Sequence, residues 1–182
     1  MTQNQSTSAD LVTLAMERHE TALIRYAASI LGDVERAREV VQDTFLKLCT
    51  TAPDSIRDHL AQWLFTVCRN GAFDIRKKDG RMTPLTDIDL ETRPGPGPRP
   101  VDQMEQRETL RQVLDLVREL PPKEREVVTL KFQCDLSYKE IAEITSLSVS
   151  HVGVLIHHGV GRIRKHLKSD PSPAPSLVRR LS

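Results

Sequence analysis

The sequence is poor in aromatic residues, with four Phe, two Tyr and one Trp among 182, and it has only three cysteines. Cys49, Cys68 and Cys134 are far apart, odd in number and set in apolar helical patterns. They read as buried reduced thiols rather than as a disulfide framework or a zinc site. No apolar run approaches the roughly 20 residues needed to cross a bilayer. The N-terminus, MTQNQSTSADLVT, lacks the basic segment and apolar core of a signal peptide. A cytoplasmic protein with no membrane contact is therefore expected. A glycine-rich phosphate loop, metal-ligand spacing and a nucleophile–base set are also missing, so neither an enzyme nor a cofactor is expected.

What is present is an uneven charge. Residues 1–78 hold ten basic and ten acidic side chains, and residues 79–120 hold six and nine, a net −3. Residues 121–182 hold ten basic and six acidic, a net +4. A phosphate-binding surface would want its charge in that last stretch.

The same stretch carries the most specific pattern. Ser137 and Glu140 form a capping box ahead of Ile141 and Ile144, which predicts a short helix over 138–145. Ser146-Leu147-Ser148 then makes a tight turn, and Ser148 caps a second helix over 149–167. Val152, Ile156, Gly159, Ile163 and Leu167 recur at the spacing of one buried face. Two helices, a three-residue turn and a basic end describe a helix-turn-helix, although a hairpin that only packs would share the pattern.

In chain order, residues 1–10 are polar and expected to fray. A helix runs over 11–31 and breaks at Gly32-Asp33, with Asp33 capping a second helix over 34–49. On that helix Val34, Ala37, Val41, Phe45 and Leu48 share a core stripe, while Glu35, Glu39, Gln42, Asp43 and Leu46 fall opposite. The outer face is either a solvated acidic surface or, given Leu46 among carboxylates, a polar-rimmed docking surface. Residues 50–58 read as a loop with Asp58 as the next cap. A third helix over 59–78 buries Leu60, Trp63, Leu64, Val67, Cys68 and Ile75, and gathers Arg69, Asn70, Arg76, Lys77 and Lys78 in its C-terminal half. Those cations suit the helix dipole and equally suit a nucleic-acid backbone.

Alternating Pro94, Pro96, Pro98 and Pro100 make residues 79–101 an extended tether. Helices return over 102–120 and, behind Pro121-Pro122, over 123–132. Residues 169–182, with Pro171, Pro173 and Pro175, read as a disordered tail. The fold class is all-α: two small helical domains, 11–78 and 102–168, joined by a flexible Pro-rich linker.

Four segments in this order resemble the sigma-70 family of bacterial transcription initiation factors, and specifically its extracytoplasmic-function group. They are Asp33–Leu48, Trp63–Lys77, Glu119–Val128 and Leu136–Ala142. The resemblance implies sigma region 2 in the first domain and sigma region 4 in the second. It implies core RNA polymerase and promoter DNA as partners, with contacts to the beta-prime coiled coil and the beta flap, and it admits an anti-sigma factor. Glu39, Gln42, Asp43 and Leu46 would dock on the polymerase. Arg69 and Asn70, with the loop over 50–58, would sit at the melted start-proximal element, where a flipped base costs about a few kcal/mol to unstack. Arg76, Lys77 and Lys78 would hold phosphates there. The recognition helix would place Ser148, Ser150, His151, Val154, His157, His158, Arg164 and Lys165 toward the start-distal element.

This chain departs from the family where Lys or Arg is usual at the positions of Gly153 and Leu155, and often Arg at that of His158. Fewer distal phosphate contacts and a shallower salt dependence are expected. Gly153, Gly159 and Gly161 are each expected to weaken the helix by about 1 kcal/mol relative to Ala. The alternative class is a free-standing helix-turn-helix regulator bound to operator DNA. It would leave the outer face of the second helix and the tether without a role.

Overall fold

A computed structural model of the protein describes residues 2–52, 55–79 and 100–169, with side chains over 10–52, 55–79 and 109–168. Seven α-helices appear among the described residues: α1 Thr2–Leu31, α2 Val34–Thr50, α3 Leu60–Lys78, α4 Pro100–Glu119, α5 Pro122–Phe132, α6 Tyr138–Thr145 and α7 Val149–Ser169. The tether and the tail fall outside the described residues, apart from Asp79, the start of α4 and Ser169 at the end of α7.

Local chemistry sets the breaks. Gly32 takes a φ of 73°, and its N–H reaches Ala28 O at 2.9 Å, closing α1 with the left-handed turn that glycine adopts without strain. Asp33 then accepts from the Arg36 N–H at 3.1 Å and caps α2. The capping box of α6 is complete: Ser137 N–H donates to Glu140 at 2.8 Å and Glu140 N–H to Ser137 at 3.2 Å. Ser148 accepts from the His151 N–H at 3.2 Å, and so opens α7.

Several expectations are corrected. α1 begins at Thr2, because residues 2–10 contain no helix breaker and extending a helix is far easier than nucleating one. Asp58 does not cap α3; it lies in a 3-10 turn over Arg57–His59, and His59 takes the cap position without a side-chain bond. Pro100 opens α4 two residues early, which suits a ring that lacks the N–H a first turn cannot use. Cys49 is exposed, since it follows Leu48 round α2 to the outer side. Val34 and Leu167 are only half-buried.

The first half is a three-helix unit in which α1 packs on α2 and α3. Leu23, Tyr26, Phe65, Leu64 and Leu48 are almost fully enclosed there. Tyr26 and Phe65 meet with ring centroids 5.6 Å apart, and large side chains of this kind contribute about 1.5–3 kcal/mol each on burial. In the second half α7 crosses α5. A Cβ on Gly159 would stand 2.8 Å from Val128 Cγ2 and 3.3 Å from Leu120 Cδ1, so glycine there permits the close approach. Gly161 has open space instead, and there the helix bears glycine's entropic cost without compensation in packing. Buried Glu124 ties the same crossing to Arg162 Nε at 3.0 Å.

The two halves are not separate cores. Val127, Leu130, Leu136, Ile141, Ile144, Val152 and Ile156 of the second half join one apolar cluster with Tyr26, Leu64 and Phe65 of the first. α3 packs on α6 and α1 touches α5. The Cys134 thiol lies 3.8 Å from Ala22 O of α1 across this seam.

Candidate polymerase and nucleic-acid interface

Three surfaces carry the sequence-expected residues. On α2, burial of Ala37, Val40, Val41, Thr44, Phe45 and Leu48 turns the opposite stripe outward. Glu35, Glu39, Gln42 and Asp43 are all exposed, and Leu46 is 58% exposed among them. An apolar side chain ringed by carboxylates and an amide is the composition of a docking surface with a polar rim.

The second surface is the C-terminal half of α3. Arg69, Asn70, Phe73 and Asp74 line a shallow, open depression of about 450 Å³. The Arg69 guanidinium lies over the Phe73 ring, 4.7 Å from its centroid. Arg76 is half-buried, and Lys77 and Lys78 are exposed in the last turn. Arg69, however, is held from the other half of the molecule. Its Nε donates to Glu126 Oε1 at 2.7 Å and its Nη2 to Oε2 at 3.4 Å, while the Tyr26 hydroxyl donates to Oε1 at 2.8 Å. Burial works against the Arg69 charge, but the bonds to Glu126 and its negative charge raise the guanidinium's pKa overall. Burial, reinforced by the Glu126 charge, pushes the Tyr26 phenol well above its usual range.

The third surface is the outer side of α6 and α7. Ser148, Ser150, His151, His157 and His158 are exposed, as are Val149 and Val154 at 49% and 50%. Tyr138, 40% exposed, lies beside them, 3.7 Å from where a Gly153 Cβ would stand. Arg164 is half-buried and Lys165 exposed near the far end. From Val149 through Gly161 the helix has no Lys or Arg at all.

Sequence reasoning missed Glu126, Tyr26 and Phe73. Phe73 follows Arg69 by four residues, a spacing that puts both on one helical face, so the stacking was legible. Tyr26 follows Leu23 by three and so shares its buried stripe. Glu126 carried no such signal, because its partner lies 57 residues away.

Comparison with known proteins places the chain in a family. The sigma-70 region 2 family model matches residues 15–82, and the sigma-70 region 4 model matches residues 110–163. The ECF RNA polymerase sigma factor SigW of Bacillus subtilis is 26% identical over 174 residues, covering 91% of each chain. The RNA polymerase sigma factor YlaC of the same organism is 30% identical over 154 residues, 80% of this chain and 85% of its own. The sigma factor RpoE, solved in complex with the anti-sigma factor NepR from Bartonella quintana, shares the fold. Its TM-score is 0.58 at 21% identity, over 87% of this chain and 98% of that one. The chain belongs to the sigma-70 family of RNA polymerase sigma factors. Within the family it falls in the extracytoplasmic-function group, and it directs promoter-specific transcription initiation with core RNA polymerase.

Proposed function

We propose that the three surfaces divide the work of initiation. The outward stripe of α2, with Glu39, Gln42, Asp43 and Leu46, docks on the beta-prime coiled coil. The end of α3 takes the melted start-proximal element: Arg69 and Asn70 border the depression that receives an unstacked base, and Arg76, Lys77 and Lys78 hold phosphates. The first turns of α7 enter the major groove of the start-distal element, and the second half also meets the beta flap. There Ser148, Ser150, His151, His157 and His158 offer hydrogen bonds and Val154 an apolar contact suited to thymine methyl groups. Arg164 and Lys165 supply its phosphate contacts. The protein acts in the cytoplasm as a subunit without catalysis or a cofactor of its own. An anti-sigma factor is a further partner, as for the Bartonella relative.

The observation that carries this reading is the exposure of Leu46 on a charged stripe directly opposite a fully packed one. Its test is reconstitution with core polymerase. A Glu39→Ala, Asp43→Ala, Leu46→Ala variant, folded by circular dichroism, is expected to lose polymerase capture and promoter-directed transcripts together. Undiminished capture of that variant would overturn the assignment.

A further inference from the structure

Base edges in the major groove are most often read by a short list of side chains: Arg or Lys on guanine, Asn or Gln on adenine, Asp or Glu on cytosine. The first three turns of α7, VSHVGVLIHHGVG over 149–161, contain none of these. The side chains they turn outward are two valines, a serine and three histidines. Val149 is 49% exposed and Val154 50%, whereas Val152 and Ile156 on the packed face are at 0% and 4%. Gly153 follows Val149 by one helical turn and adjoins Val154, and it puts no side chain between them. The Tyr138 ring of α6 lies 3.7 Å from where a Gly153 Cβ would stand, so it extends the same apolar strip. Ser150 and the histidines border the strip, and exposed apolar surface with a polar rim marks a site of contact. In a helix-turn-helix these turns are the ones carried into the groove. The apolar group that DNA displays there is the 5-methyl of thymine.

We propose that thymine methyl groups specify the start-distal element of this chain: Val154 and Val149 contact them, and the duplex selected under the first turns of α7 is built of A·T pairs. Methyl readout rests on the reading of α7 as the helix in the groove. A methyl set against valine leaves water together with it, and each such contact contributes about fourfold in affinity. A G·C pair in the same place would turn the guanine O6 and N7 or the cytosine amine toward valine, with no partner to replace the water they lose. Ser150 and His157 donate to an adenine N7, a guanine N7 or a thymine O4 alike, so their hydrogen bonds do not make the choice. The choice falls to the valines. Because neither partner is charged, this discrimination persists at salt concentrations that weaken the hold of a cation on phosphate.

The test uses holoenzyme assembled from core polymerase and the full chain. A promoter library with a randomised distal element is selected for binding twice, once synthesised with thymidine and once with deoxyuridine, which lacks only the methyl. Thymine is expected to be enriched at fixed positions in the first pool, and uracil is not expected to be enriched there in the second. A selected duplex carrying deoxyuridine at one of those positions is expected to bind about fourfold more weakly than its thymine parent. Val154→Ala and Val149→Ala, both at exposed helical positions, are each expected to weaken binding of the thymine duplex and to close its gap to the deoxyuridine duplex at one position. A selected element without enriched thymine overturns methyl readout, and so does equal binding of the thymine and deoxyuridine duplexes. A thymine preference that survives in the double variant overturns it as well, because the shape of the duplex rather than the valines would then be its source. Transcription from the library separates the two readings. If the wild-type holoenzyme initiates while thymine and deoxyuridine bind equally, only methyl readout falls; if it initiates from no member, the functional reading falls and takes methyl readout with it.

Discussion

The two helices proposed to meet DNA differ in the chemistry they present. The end of α3 concentrates Arg69, Arg76, Lys77 and Lys78 within ten residues. α7 presents hydroxyls, imidazoles and two valines over its first three turns, and its first cation is Arg162. Arg162 is itself engaged with Glu124. Charge binds any phosphate backbone and fades with salt, whereas an uncharged groove face contributes through shape and base contacts that salt barely screens. On the proposed reading, this contrast gives affinity for opened DNA to the first half and positioning on the duplex to the second.

The sharpest way to break that contrast is to remove the charge of α3. Replacing Arg76, Lys77 and Lys78 by Ala is expected to abolish open-complex formation at physiological salt. It should also flatten the salt dependence of single-strand binding by about 2 in log–log slope, at about 0.7 per cation lost. Permanganate footprinting and binding titrations at several salt concentrations measure the two effects. An unchanged slope would remove the electrostatic assignment.

Alkali acts on both halves in the same way. Cys68 lies inside the first half and Cys134 at the seam, and burial pushes both thiols up to about 12 from 9.0. A buried acid with a raised pKa stays protonated in the folded chain after the unfolded chain has ionised. Its contribution to stability is therefore complete below pH 9 and falls as pH rises from about 9 toward 12. The slope is at most about 1.4 kcal/mol per pH unit per thiol. Denaturant melts across this window should show the loss, and Cys68→Ala should remove part of the slope. A Cys68→Ala chain as alkali-sensitive as the wild type would contradict the assignment.

A smaller change would narrow the difference between the helices. Gly153 faces Tyr138 across ordinary van der Waals space, so a longer side chain fits there. Gly153→Lys is expected to tighten duplex binding of the distal element modestly and to steepen its salt slope by about 0.9, one phosphate contact. A slope that stays the same would place that position off the DNA.

Local order was easy to read from the chain. The capping box at Ser137 and Glu140, the Asp33 cap and the two stripes of α2 each depend on residues within one or two helical turns. Periodicity also separated Leu46 from Phe45 correctly, one exposed and one enclosed. What periodicity could not show was contact between distant turns. The seam between the halves, the Arg69–Glu126 pair and the need for glycine at 159 all depend on which helices meet. A glycine that looked like a cost proved to be the crossing point of α5 and α7. The Pro-rich tether marked the boundary between two helical units, and nothing local in α3 or α6 signalled that their apolar faces complete one another.

That shared apolar cluster bears on the lifetime of the free protein. When the halves part, the facing sides of α3 and α6 lose their cover and present contiguous greasy surface to water. Such surface is what proteases and aggregating neighbours seize first. The packing of α3 on α6 is thus what keeps that surface from water in the free chain.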